Sequence, residues 1–155
     1  MTHSEKEQKY EQMLKEAAAL LNGETDLIAN MANLAALIHE TMGFWWTGFY
    51  IVRADKDGKE QLVLGPFQGP IACTRIALGR GVCGTSWQRR ETVVVLDVEK
   101  FPGHIACSSE SRSEIVVPVF KADKVCAVLD IDSKYLSTFD ETDARYLEQI
   151  VKLLN

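Results

Sequence analysis

A chain of 155 residues with 46% apolar and 25% charged side chains can bury about two-thirds of the surface its unfolded form exposes, so it needs neither a disulfide framework nor a structural metal to fold. A net charge of −5 without any dense run of lysine and arginine argues against a nucleic-acid surface. The start MTHSEKEQKY has no apolar stretch behind a basic segment, and the region Leu27 to Val52 is broken by Asn30, Asn33, His39 and Glu40. That pattern predicts no secretory signal and no membrane span, hence a soluble, cytoplasmic protein.

Tyr10, Met13, Leu14, Ala17, Ala18 and Leu21 recur at helical spacing and stop at Asn22-Gly23, which predicts a first helix. Thr25 is placed to cap a second, with Leu27, Met31, Leu34, Ile38 and Met42 on one stripe and Gly43 after it. Phe44 to Val52 and Gln61 to Phe67 then read as a hairpin across Asp57-Gly58. Cys73 to Leu78 reads as a third strand, Val82 to Arg90 as a short helix after two breaking glycines, and Thr92 to Leu96 as a fourth strand. Asp97 to Ser113 shows no periodicity and is expected to be a long loop, the kind that carries function.

Glu114 to Phe120 and Val125 to Asp132 read as strands joined by a tight turn at Asp123, and Asp140 is placed to cap a closing helix with Leu147, Ile150, Val151 and Leu154 on one face. The expected architecture is a single α+β domain over residues 1–155. Its mainly antiparallel sheet has helices from both ends of the chain packed on it.

The chemistry-bearing residues fall in the middle of the chain. Of the four cysteines, Cys126 lies inside an apolar strand and reads as a buried small hydrophobe. Cys83 falls in the first turn of the short helix, where unpaired amide hydrogens favour a thiolate, which makes it a candidate nucleophile. Cys107 falls in the serine-rich loop and Cys73 at a strand start. No Cys-x-x-Cys pair exists and His104 with Cys107 is the only close mixed pair, so no metal and no other cofactor is expected.

Asp130 and Asp132 alternate on one strand and share a face about 7 Å apart, with Leu129 and Ile131 turned to the other. Together with Glu114 they form either a solvated sheet face or a carboxylate cluster that binds an ammonium group and keeps one member protonated. Trp46 and Tyr50 also share a strand face, with Gly48 between them leaving a gap for a ligand or simply sitting in an aromatic core. Spacing alone leaves both pairs of readings open. The run GRGVCG (79–84) lacks the lysine and glycine spacing of a nucleotide-binding loop.

Four stretches carry a resemblance: NLAALIHETMGFWWTGFYIV (33–52), GPFQGPIACTRIALGRGVCGTSW (65–87), FPGHIACSSESRSEIVVPV (101–119), and VLDIDS (128–133) followed by FDETDARYLE (139–148). They make the chain similar to the free methionine-(R)-sulfoxide reductases, stand-alone GAF domains. The resemblance implies that Cys107 is the nucleophile, Cys73 the resolving cysteine and Cys83 the third member of a cysteine trio, against the helix-terminus argument for Cys83. It also implies that Trp46 and Tyr50 surround the substrate methyl, that Glu114, Asp130 and Asp132 are the pocket carboxylates, and that thioredoxin recycles a redox-active disulfide. A homodimer is compatible with the sequence. A non-catalytic GAF ligand sensor and a thiol redox switch are the alternative readings.

Overall fold

The computed structural model of the chain describes residues 1–104 and 110–155. Helix α1 (His3–Leu21) opens with a capping box between Thr2 and Glu5 and buries Tyr10, Met13, Ala17 and Leu21. Helix α2 (Leu27–Met42) is capped by Asp26 rather than Thr25: the Asp26 carboxylate accepts from the Ala29 amide, and Glu24 takes the Thr25 and Asp26 amides. It ends at Gly43 in the left-handed conformation.

Six strands follow: β1 (Trp46–Ala54), β2 (Glu60–Gln68), β3 (Arg75–Ile76), β4 (Val93–Val95), β5 (Ser113–Lys121) and β6 (Lys124–Ser133). They form one sheet in the order β3-β2-β1-β6-β5-β4, and every neighbouring pair is antiparallel. The β5–β6 hairpin turns at Ala122 and Asp123, both at positive φ, which gives a two-residue turn the twist its strands require. Helix α3 (Gly81–Arg89) lies between β3 and β4, and α4 (Glu141–Val151) closes the fold.

The expected strand from Cys73 to Leu78 contracts to Arg75–Ile76: carbonyls ahead of it are taken by side chains of β1, and the Ala77 carbonyl behind it accepts from the Arg80 amide in the turn that leads to α3. Trp46 Nε1 donates to the Pro70 carbonyl at 2.9 Å and the Tyr50 hydroxyl to the Cys73 carbonyl at 2.8 Å. The expected loop after β4 contains a 3-10 turn, Val98–Lys100, whose cap is the Asp97 side chain.

Strand alternation divides the sheet cleanly. Phe49, Ile51, Ile115, Val117, Leu129 and Ile131 pack with α1, α2 and α4 in the larger core. Trp46, Tyr50, Val116 and Val128 face the other side, under Val82 and Cys83 of α3. Helix α3 thus covers part of the second face.

One ion pair ties the ends of the chain together. Asp143 of α4, almost fully buried, accepts from the Tyr10 hydroxyl at 2.6 Å and from Lys6 Nζ at 2.7 Å. Asp140 caps α4, as the sequence predicts, and forms a capping box with Asp143. Among the described residues no helix is long and apolar enough to cross a membrane.

Candidate active site

The strand register assembles the candidate residues. Asp132 of β6 stands opposite Trp46 on one side and Glu114 on the other, while Asp130 lies between Gly48 and Val116. Residues paired across strands point to the same side of a sheet, so Glu114, Asp130, Asp132, Trp46 and Tyr50 all project toward α3. Together with Cys83 they line a cleft of about 580 Å³, mouth included.

The carboxyls are not a solvated face. Glu114 and Asp130 are each only 6% exposed, and Asp132 is half-buried. Burial pushes the Glu114 carboxyl well above the usual carboxylate range, and the neighbouring Asp130 and Asp132 add to it. Asp132 is raised by burial and by Asp130, partly offset by hydrogen bonds from Ser111 and Glu114. Asp130 is raised by burial as well, and moderated by hydrogen bonds to Glu114 and Cys83. Burial and mutual repulsion of three carboxyls within hydrogen-bonding reach both act against full ionisation and favour a proton shared within the cluster.

Cys83 does not become the thiolate that its place in the helix suggests. Burial raises its thiol well above the ordinary value, and Asp130, Glu114 and Asp132 raise it further. Desolvation and three acidic neighbours outweigh the first-turn amides of α3. Those amides have another use. The N-cap residue Arg80 makes no side-chain capping bond, and residues 80–83 line the cleft, so among the described residues no side chain caps the first-turn amides beside it.

Of the two readings of the Trp46–Tyr50 face, the packing matches the aromatic one. Trp46 stacks between Tyr50, with ring centroids 6.0 Å apart, and Phe67, at 5.2 Å. The space over Gly48 is no open gap: a Cβ there would lie 2.4 Å from Phe67 Cβ and 2.6 Å from the Trp46 ring. The glycine lets the two rings settle on the sheet. Tyr50 stays a neutral donor, since burial and the nearby Asp130 raise its hydroxyl.

Tyr50 also holds the segment that carries Cys73, through its bond to the Cys73 carbonyl, and Cys73 is half-buried beside the cleft, ahead of β3. Cys73 is disulfide-bonded, whereas Cys83 and Cys126 carry free thiols. Cys126 is half-buried at the edge of the larger core rather than fully inside it. Cys107 lies outside the described residues.

Residues 24–154 match the GAF domain family. The chain is 57% identical to GAF domain-containing protein A of Dictyostelium discoideum, over 97% of this chain and 92% of that one. It is 44% identical to the free methionine-R-sulfoxide reductase of Escherichia coli, over 94% and 86% of the two chains. The free methionine-R-sulfoxide reductase of Neisseria meningitidis, solved in complex with its substrate, superposes with a TM-score of 0.88 at 52% identity, covering 94% of this chain and 85% of that one. The chain belongs to the free methionine-R-sulfoxide reductase family of GAF domains.

Several cleft residues in this member of the reductase family carry little signal in the sequence. His104 Nε2 lies 4.0 Å from Glu114 Oε1, its imidazole pKa lowered by burial. Ser111 Oγ donates to Asp132 Oδ1 at 3.3 Å. Both sit in the aperiodic segment before β5, and their nearness to the acid-bearing strand along the chain is the one cue to them. Arg80 and Trp45 also line the cleft, and neither stands out from spacing.

Proposed function

We propose that the chain reduces free methionine (R)-sulfoxide to methionine by thiol chemistry in this cleft. The observation that carries the reading is the proton-sharing cluster of Glu114, Asp130 and Asp132 set beside the aromatic wall of Trp46 and Tyr50. The substrate complex of the Neisseria relative supports it.

A sulfoxide sulfur becomes electrophilic when its oxygen is protonated or strongly hydrogen-bonded. A neutral carboxyl in the cluster donates that proton, with Glu114 best suited because both aspartates raise it. The remaining carboxylate charge binds the substrate ammonium, and the amides at the α3 N-terminus receive its carboxylate. The methyl lies against Trp46 and Tyr50. Such a cleft fits a free amino acid, with its ammonium and its carboxylate both bound.

Cys107 attacks the sulfur as a thiolate. The oxygen passes to its Sγ, methionine leaves, and Cys107 is left as a sulfenic acid. The Cys73 thiol then condenses with it, releasing water and forming a disulfide. That Cys73 is disulfide-bonded supports a resolving role. An external dithiol, thioredoxin, restores both thiols in the cytoplasm. The buried, high-pKa thiol of Cys83 argues against a nucleophilic role for it and favours a place in the wall of the cleft.

The test is methionine formation from free methionine sulfoxide with dithiothreitol as reductant. Wild type produces methionine continuously and Cys107→Ser produces none, because a hydroxyl is a far weaker nucleophile toward sulfur. Steady turnover by Cys107→Ser would reject the assignment.

A further inference from the structure

We infer that the floor of the cleft is also a binding site for a thiophilic divalent cation of the zinc type, held by Cys83, Glu114 and Asp130. These three come from α3, β5 and β6, residues far apart in sequence. Each offers one ligand atom, and the three atoms lie within 4.8 Å of one another with all three residues buried. Tetrahedral zinc with sulfur and oxygen ligands places its donors roughly 3.5 Å apart, so a small contraction of the side chains completes the triad.

An independent observation points the same way. Asp130 Oδ1 is buried without a hydrogen-bond partner among the described residues, in a residue only 6% exposed. A buried acceptor left unpaired costs about 1–3 kcal/mol, and a cation at the triad satisfies it. One thiolate with two carboxylates selects zinc, cadmium or cobalt over magnesium and calcium, which prefer oxygen alone.

A metal ion binds the thiolate and carboxylate forms of its ligands, so its affinity falls as pH falls. It also occupies the carboxyls assigned above to the sulfoxide. That consequence, mutual exclusion of cation and substrate, rests on the proposed reductase reading; the site itself rests on the triad.

Zinc ion is titrated into the reduced chain by calorimetry, and cobalt ion is used to read thiolate coordination by absorption. The expected result is one zinc per chain, proton release on binding, and a cobalt–thiolate band. Cys83→Ser and Asp130→Asn each weaken zinc by more than about 100-fold, the loss of a ligand exceeding that of a supporting residue. Cys126→Ser leaves the affinity unchanged, and so does joint replacement of Cys73 and Cys107 by serine. No cobalt–thiolate band in wild type, unchanged zinc affinity in Cys83→Ser, or loss of the site in the Cys73/Cys107 double variant would overturn the inference; the wild-type band decides it even where Cys83→Ser does not fold. Methionine sulfoxide is expected to weaken zinc binding. Zinc binding that depends on Cys83 yet ignores methionine sulfoxide would leave the metal site standing and count against the sulfoxide reading.

Discussion

Glu114 and Asp132 face each other directly across β5 and β6, a like-charge pairing that destabilises a sheet unless one partner is neutral. In this fold the pair sits under α3, with Asp130 beside it, so burial and mutual repulsion act together to retain a proton. The arrangement stores an acid at the cost of stability, as functional sites commonly do.

The raised Glu114 carboxyl makes stability depend on pH in a defined direction. Between the ordinary carboxylate pKa and the raised value, the folded chain holds a proton that the unfolded chain has lost, so stability falls as pH rises through that window and levels off above it. Each such proton contributes a slope of up to about 1.4 kcal/mol per pH unit. Glu114→Gln removes the titration, flattening the pH dependence of thermal unfolding while lowering kcat/KM. An unchanged pH profile of the melting temperature in that variant would show that Glu114 ionises normally.

Gly48→Ala tests the aromatic wall. The new Cβ meets Phe67 and the Trp46 ring well inside contact distance, and overpacking of this kind costs about 1–3 kcal/mol. Denaturant unfolding should show that loss, tryptophan fluorescence a displaced Trp46, and KM for the sulfoxide a rise. Normal stability with normal KM would mean that the wall yields freely and does not shape the cleft.

Tyr50→Phe keeps the ring but removes the hydrogen bond to the Cys73 carbonyl, worth about 0.5–1.5 kcal/mol. The expected outcome is little change in KM and a slower appearance of the disulfide after the first methionine is released, followed by quenched-flow thiol counting. Equal disulfide rates in the two proteins would detach Tyr50 from the positioning of Cys73.

Asp143→Ala removes the buried link between α1 and α4 and leaves the exposed Arg145–Glu7 pair in place. Its carboxylate serves both Lys6 and Tyr10 in the core, and removal of one partner from a buried pair costs about 3 kcal/mol or more. Chemical denaturation should show that loss, with kcat/KM of the folded fraction retained because the cleft lies on the opposite face of the sheet. A loss under about 1 kcal/mol would mark the pair as a surface-type interaction.

The period-two pattern of β6 makes the shared face of Asp130 and Asp132 legible from the amino-acid order alone, and the apolar 129 and 131 positions point to the helices, where they pack. Burial of the acidic face is not legible, because the cover comes from α3, whose Gly84 lets the helix close against the turn before it: a Cβ at this position would meet the Ala77 carbonyl at 2.6 Å. The protonated state of Cys83 escapes the sequence for the same reason. A local helix-end argument cannot register three carboxyls delivered by strands elsewhere in the chain. The shortened third strand lies between side-chain bonds from Trp46 and Tyr50 to carbonyls ahead of it and the Arg80–Ala77 turn bond behind it, interactions that leave no mark in local periodicity.

A single turnover tests the central claim most directly. The fully reduced chain is mixed with excess free methionine (R)-sulfoxide without reductant, released methionine is counted, and the cysteines are mapped by mass spectrometry. The account predicts about one methionine per chain, a bridge joining Cys73 to Cys107, free Cys83 and Cys126, and no reaction with the same sulfoxide inside a peptide. Four free thiols with no methionine, or equal reduction of the peptide, would contradict it.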